Sequence, residues 1–162
     1  MSTNTLSRRI AWLDRWNQPT QDQLIEALKP HQIKNFSRII QALEDYGTVQ
    51  QNLIWYGASW KWTLQFHLGA TQGDESRTMC YIVPNTESPV LSMPFDVHFL
   101  ASLPSRRLSK FIRDGLKSAK CAVNFHWASW TPGLDNEVTM LLDLLKRKYK
   151  YLTGGPQNEP HQ

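Results

Sequence analysis

Cysteine is scarce in this chain: there are two, Cys80 and Cys121. They share no Cys-x-x-Cys spacing and no histidine cluster accompanies them, which argues against a structural zinc site. Both fall in expected strands and read as buried, reduced thiols rather than a disulfide. Long apolar runs are missing too. Nothing approaches the roughly 20 residues a spanning helix needs, so no membrane partner is expected. The stretch Met1 to Arg9 has no apolar core behind its charges and does not read as a secretory leader, which makes the cytoplasm the expected location. An excess of one charge is also lacking. The balance of 18 Lys and Arg against 14 Asp and Glu leaves a net +4, which permits an anionic partner without demanding one. No GxSxG, Walker loop, HExxH or Gly-rich dinucleotide fingerprint occurs. No catalytic residue, metal or cofactor is therefore expected. The reading leans away from an enzyme, with an enzyme lacking a recognisable motif kept as an alternative.

What the chain does contain is aromatic alternation. Seven tryptophans stand among 41% hydrophobic residues, enough for one core at this length. From Trp60 onward, Trp60, Trp62, Leu64 and Phe66 alternate with Lys61, Thr63, Gln65 and His67, the period of a half-buried strand. Strands are expected at Val49–Tyr56, Trp60–Leu68, Arg77–Val83, Val90–Met93 and Cys121–Trp127. Both Trp60 and Trp62 are expected to face inward. In the second hairpin Phe66 is set opposite Met79, Leu64 opposite Tyr81 and Trp62 opposite Val83, which matches apolar partners. In the first, Ile54 and Tyr56 go with the tryptophans, and Leu53 and Trp55 with Lys61 and Thr63. In the fifth strand Cys121, Val123, Phe125 and Trp127 are read as inward, and Ala122, Asn124 and His126 as outward.

Helical spacing appears elsewhere. Thr20 can cap a helix over Gln21–Leu28, and Pro30 can begin the next. Ile33, Phe36, Ile39, Ile40, Leu43 and Tyr46 make one buried stripe, stopped at Gly47. A basic amphipathic helix follows Pro104-Ser105. A last helix, capped at Thr131-Pro132, carries the stripe Leu134, Val138, Leu141, Leu142, Leu145 and Tyr149, with Lys146, Arg147, Lys148 and Lys150 near its negative end. The expected fold is α+β: a single antiparallel twisted sheet of about five strands with helices packed on one face. Residues 1–18 read as an N-terminal arm, 19–152 as a single α+β domain and 153–162 as a C-terminal tail.

Trp55-Tyr56-Gly57, Trp60-Lys61-Trp62-Thr63-Leu64 and Thr78-Met79-Cys80-Tyr81-Ile82-Val83-Pro84, followed by a helix, a strand ending in Trp127 and a Leu- and Lys-rich last helix, form an order that resembles the bacterial family named domain of unknown function 3788. The resemblance covers roughly Pro19 to Leu152. It implies an α+β domain with no established activity, and its most specific pieces are not catalytic signatures.

Two surfaces could carry function. The polar sheet face is expected to gather Trp55, Lys61, Thr63, Gln65, His67, Asn124 and His126 as a ligand surface for a small molecule or a protein partner, against the plainer reading of a solvated sheet face. His67 and His126, with Cys80, are weighed as metal ligands and set aside, since their mutual placement is only guessed. The alternative surface is the basic helix from Arg106 to Lys120, where Arg106, Lys110, Arg113 and Lys117 could meet nucleic acid or another polyanion. It lacks the docking context of a known reader, and a solvated helix face explains it equally. An uncovered edge strand leaves room for a homodimer.

Overall fold

The computed structural model describes residues 11–69 and 74–154. Its elements are α1 (Gln21–Glu26), α2 (Pro30–Asp45), β1 (Val49–Trp55), α3 (Gly57–Trp60), β2 (Trp62–Leu68), β3 (Thr78–Val83), β4 (Val90–Phe95), α4 (Val97–Ser102), α5 (Lys110–Lys117), β5 (Lys120–Ala122), β6 (Phe125–Trp130) and α6 (Asp135–Thr153). Short 3-10 turns lie at Glu75–Arg77 and Ser105–Arg107. The fold is α+β around one antiparallel sheet in the order β1-β2-β3-β4-β6-β5. Among the described residues no helix is long and apolar enough to cross a membrane. Most of the expected arm, residues 1–10, and the expected tail from residue 155 lie outside the described residues.

Local chemistry sets several boundaries. Thr20 and Gln23 form a reciprocal capping box on α1: the Gln23 amide donates to Thr20 Oγ1 and the Thr20 amide to Gln23 Oε1. Pro30 opens α2, where a missing N–H loses nothing. Gly47, at φ +78, lets the chain leave α2 and enter β1. At the head of α6 the Glu137 carboxylate accepts from the amides of Gly133 and Leu134, at 2.8 and 3.0 Å. This helix begins beyond the expected Thr131-Pro132 cap, and Leu134, read as part of its buried stripe, is 61% exposed.

One sheet face is covered. Phe36, Ile39, Ile40 and Leu43 of α2 and Val138, Leu141, Leu144 and Leu145 of α6 form one cluster with Leu64, Phe66, Cys80, Ile82, Leu91, Met93, Phe95, Ala128 and Trp130. A second cluster of Trp12, Leu24, Trp62 and Val83 closes one end of the sheet. There the Trp62 indole donates to Asp14 O at 2.6 Å and the Trp12 indole to Trp60 O at 3.0 Å.

Four strand expectations are corrected. The β2–β3 register is one residue away from the expected one, with Leu64 opposite Ile82, Gln65 opposite Tyr81 and Phe66 opposite Cys80. This places Ile82 and Cys80 in the core and sends Tyr81 to the other face. Leu53 pairs with Leu64 and Trp55 with Trp62, so Leu53 and Trp55 share the covered face and Ile54 takes the outer one. Trp60 belongs to α3, not to β2. The expected fifth strand is a hairpin: β5 and β6 are joined at Val123 and Asn124, both with positive φ. This corresponds to the two-residue turn that matches strand twist. The alternation in β6 is then inverted, with Ala128 and Trp130 buried in the core and Phe125, Trp127 and Ser129 on the outer face. Cys121, expected to be buried, is exposed, while Cys80 is buried; both are free thiols.

Lys148, read as an outer dipole-balancing residue, is also buried. Its Nζ donates to the carbonyl oxygens of Met79 and Pro94, at 3.0 and 2.5 Å, and lies over the Phe95 ring. The β3–β4 ladder runs from Val83 opposite Val90 to Tyr81 opposite Ser92. Two residues further in the same register, Met79 would face Pro94, which has no N–H to offer a neighbouring strand. The Lys148 amine supplies donors at that gap.

Candidate functional site

The outer face divides into a closed half and an open half. In the closed half, Thr63, Gln65 and His67 are 0%, 3% and 2% exposed, whereas they were expected on an open face available to a ligand. The Thr63 hydroxyl donates to Lys61 O at 3.2 Å, and Gln65 and His67 belong to a hydrogen-bonded seam. Asn52 donates to His67 Nε2 at 2.7 Å and to Gln65 Oε1 at 3.4 Å. Gln65 Nε2 donates to the Tyr81 hydroxyl at 3.1 Å, and that hydroxyl donates to both Glu75 oxygens, at 2.8 and 2.9 Å. Because Nε2 accepts from Asn52, the His67 proton is assigned to Nδ1, which is buried without a hydrogen-bond partner. Burial, and then the Glu75 carboxylate, hold the Tyr81 phenol above its ordinary pKa. It stays a proton donor and fixes the position of its own ring.

That ring stands behind the open half, against the rings that line it. At the end of β1 the chain does not make a simple turn. Residues Gly57–Trp60 wind into α3, closed by the Tyr56 amide on Lys61 O and the Lys61 amide on Gly57 O, both 2.8 Å. The turn leans Tyr56 and Trp60 over Tyr81. Ring centroids lie 5.2 Å apart for Tyr56–Tyr81, 5.5 Å for Trp60–Tyr81, 5.6 Å for Tyr81–Trp127 and 6.2 Å for Trp60–Trp127. Beside them opens a cleft of about 570 Å³, lined by Tyr56, Trp60, Ser92, Ser118, Lys120, Ala122, Trp127 and Ser129. This volume suits a small organic molecule. Trp127 and Trp60 are half-buried, while Ser129, Lys120 and Ala122 are exposed. The cleft is therefore an aromatic wall with a polar floor and one cation. Burial also raises the Tyr56 phenol.

Of the residues expected to form the site, Thr63, Gln65 and His67 share the outer face but support the wall from behind. Trp55 is on the covered face, edge-on to Trp62 at 5.7 Å. Lys61 sits in the turn after α3, its amine over the Trp12 ring at 5.1 Å. Asn124 is at the tip of the β5–β6 hairpin. His126 pairs with Phe95 and so takes the helix-covered face. His67 and His126 are thus on opposite faces, and among the described residues no three His, Cys, Asp or Glu are placed to hold a metal ion. The lining residues Tyr56, Trp60, Trp127 and Ser129 were not nominated for it, and Lys120, read as the end of the basic helix, lies in β5. The register that would have brought Trp127 outward depends on the Val123-Asn124 turn, for which Asn124 was the only local signal.

On the basic helix, Lys110, Arg113 and Lys117 lie in α5 and Arg106 in the preceding 3-10 turn. Lys110 is paired with Asp114 at 2.7 Å. A second cleft, about 660 Å³, lies between α4 and α6 beside His98, Ser102, Arg147 and Tyr151. Its Arg147 is paired with Asp143 at 3.2 Å, and its lining rings are the single edge-on pair Phe99 and Tyr151, 5.2 Å apart. No family model matches the chain, and no curated protein does either.

Proposed function

We propose that this protein is a non-catalytic small-ligand-binding domain whose site is the cleft between α3 and the β5–β6 hairpin. The observation that carries the reading is the gathering of Tyr56, Trp60, Tyr81 and Trp127 beside an uncovered concavity on the face that the long helices leave bare. Aromatic walls with a few polar groups are the usual make-up of a small-molecule site. The seam behind Tyr81 holds the wall without help from a ligand, which favours binding by limiting what must be ordered. The Tyr81 phenol, kept protonated and engaged with Glu75, suits a structural role better than proton transfer.

The proposal includes membership of the domain of unknown function 3788 family, on the motif order given above, and a cytoplasmic location consistent with two free thiols. Neither names a ligand. The test is ligand-observed NMR with 2-naphthalenemethanol, a flat neutral probe. Saturable binding in about the millimolar range, the scale for a ligand of this size, should be seen for the wild type and lost in Trp127→Ala. Equal binding by both proteins would contradict the reading.

A further inference from the structure

Resting on the cleft reading above, we propose that the ligand is a planar organic anion, its ring on Trp127 and its anionic group on Lys120. The two residues are cross-strand partners in the β5–β6 hairpin, and partners opposite one another project to the same face at neighbouring positions. Both line the cleft. A flat molecule lying on the indole therefore has the ammonium at its rim. Lys120 makes no ion pair among the described residues, and the cleft lining contains no Asp or Glu. The site thus presents one cation uncompensated by a lining acid. A cationic ligand would meet the ring faces favourably but would also meet this charge.

The floor adds polarity of a definite sense. Ser129 donates to Ser92 Oγ at 3.0 Å, and Ser92 donates to Ala128 O at 3.5 Å. The two hydroxyl protons are directed within the protein, leaving Ser129 lone pairs facing the cleft. They suit an N–H or O–H on the ligand ring, while the anionic end needs the donor at Lys120.

The experiment compares 2-naphthoate with neutral 2-naphthalenemethanol on the wild type, Lys120→Gln and Trp127→Ala. The wild type should prefer naphthoate by about threefold to tenfold, the range for one charge-assisted contact at a partly exposed site. Lys120→Gln should erase that preference and leave naphthalenemethanol within about twofold, since its ring contact is kept. Added salt should weaken naphthoate alone. Lys120 is exposed, so Lys120→Gln should fold normally, and Lys120→Glu should reverse the preference towards 2-naphthylmethylamine. If the wild type binds both probes equally, or Lys120→Gln keeps the preference, the anion assignment is overturned while loss of both probes in Trp127→Ala still upholds the cleft. If Trp127→Ala binds both probes like the wild type, the cleft reading fails and the anion assignment with it.

Discussion

Trp60 and Trp62 are two residues apart, yet their indoles serve opposite faces of the sheet. The residue between them is responsible. Lys61 has φ +58 and ψ −138, a conformation that side chains other than glycine rarely adopt. The alternation beginning at Trp62 is thereby uncoupled from Trp60, which swings over Tyr81 while Trp62 packs with Trp12 and Leu24. The strain sits next to the cleft wall. Lys61→Gly should relieve it and raise unfolding stability by about 1 kcal/mol, within the range for one strained backbone position. The gain is reduced by loss of the Lys61 amine's contacts with Ala58 O and the Trp12 ring. Urea denaturation reads the difference, and a lower midpoint in Lys61→Gly would show that those contacts outweigh the strain.

Lys148 gives stability a pH dependence. Burial lowers its pKa from 10.5 to about 7. Above about 7 the folded amine is neutral, while the unfolded one stays protonated until 10.5. The unfolded state then binds more protons, so stability rises with pH, by at most about 1.4 kcal/mol per pH unit for one group. Below about 7 both states are charged and the whole burial penalty is felt. From about pH 9 the rise is opposed by Cys80, whose thiol is pushed up to about 12 by burial and so holds its proton longer in the folded state. The clear window is therefore pH 7 to 9. Lys148→Met should flatten the profile there. It should also lower stability at pH 7 by about 1–3 kcal/mol per carbonyl left unpaired at Met79 and Pro94, less what removal of the buried amine returns. Chemical denaturation at half-unit pH steps checks both. An unchanged slope in the variant would assign the dependence elsewhere.

Gly115 marks where α5 touches the sheet. A β-carbon there would lie 2.1 Å from Trp130 Nε1 and 2.3 Å from Cε2, and that indole is held by its bond to Phe111 O at 3.1 Å. Alanine normally improves a helix over glycine by about 1 kcal/mol. Gly115→Ala should instead destabilise by about 1–3 kcal/mol, the usual range for overpacking. A melting temperature at or above the wild-type value would mean that Trp130 can move aside.

The fold was legible where alternation and helical spacing run uninterrupted. Leu64 and Phe66 are buried under the helices, and the stripe of α2, with that of α6 from Val138 onward, packs as its spacing implies, because a single side-chain period meets a single core. Legibility ended where a backbone turn resets the period. Lys61 and Val123 are poor markers for positive φ, since both are residue types that avoid it. Their positions therefore read as strand. The first error moved Trp60 to the wrong face, and the second inverted β6 and hid Trp127. The seam through Asn52, Gln65, Tyr81 and Glu75 was half legible: its β2 members were recognised as one polar face, but their burial arises from tertiary packing that no local pattern reports. Lys148 was missed for the opposite reason. A lysine near a helix C-terminus is usually solvated, and only the strand ending at Pro94 makes it an inner donor.

On the proposed function, the aromatic cleft, and not the rest of the sheet or the basic helix, receives the ligand. The seven indole N–H resonances of ¹⁵N-labelled protein, followed during a titration with 2-naphthalenemethanol, test it most directly. Progressive, saturating shifts are expected for Trp60 and Trp127. Trp12, Trp62 and Trp130, whose indoles donate to Trp60 O, Asp14 O and Phe111 O, should remain nearly still. Shifts confined to Trp16 or Trp55, or spread evenly over all seven, would contradict it.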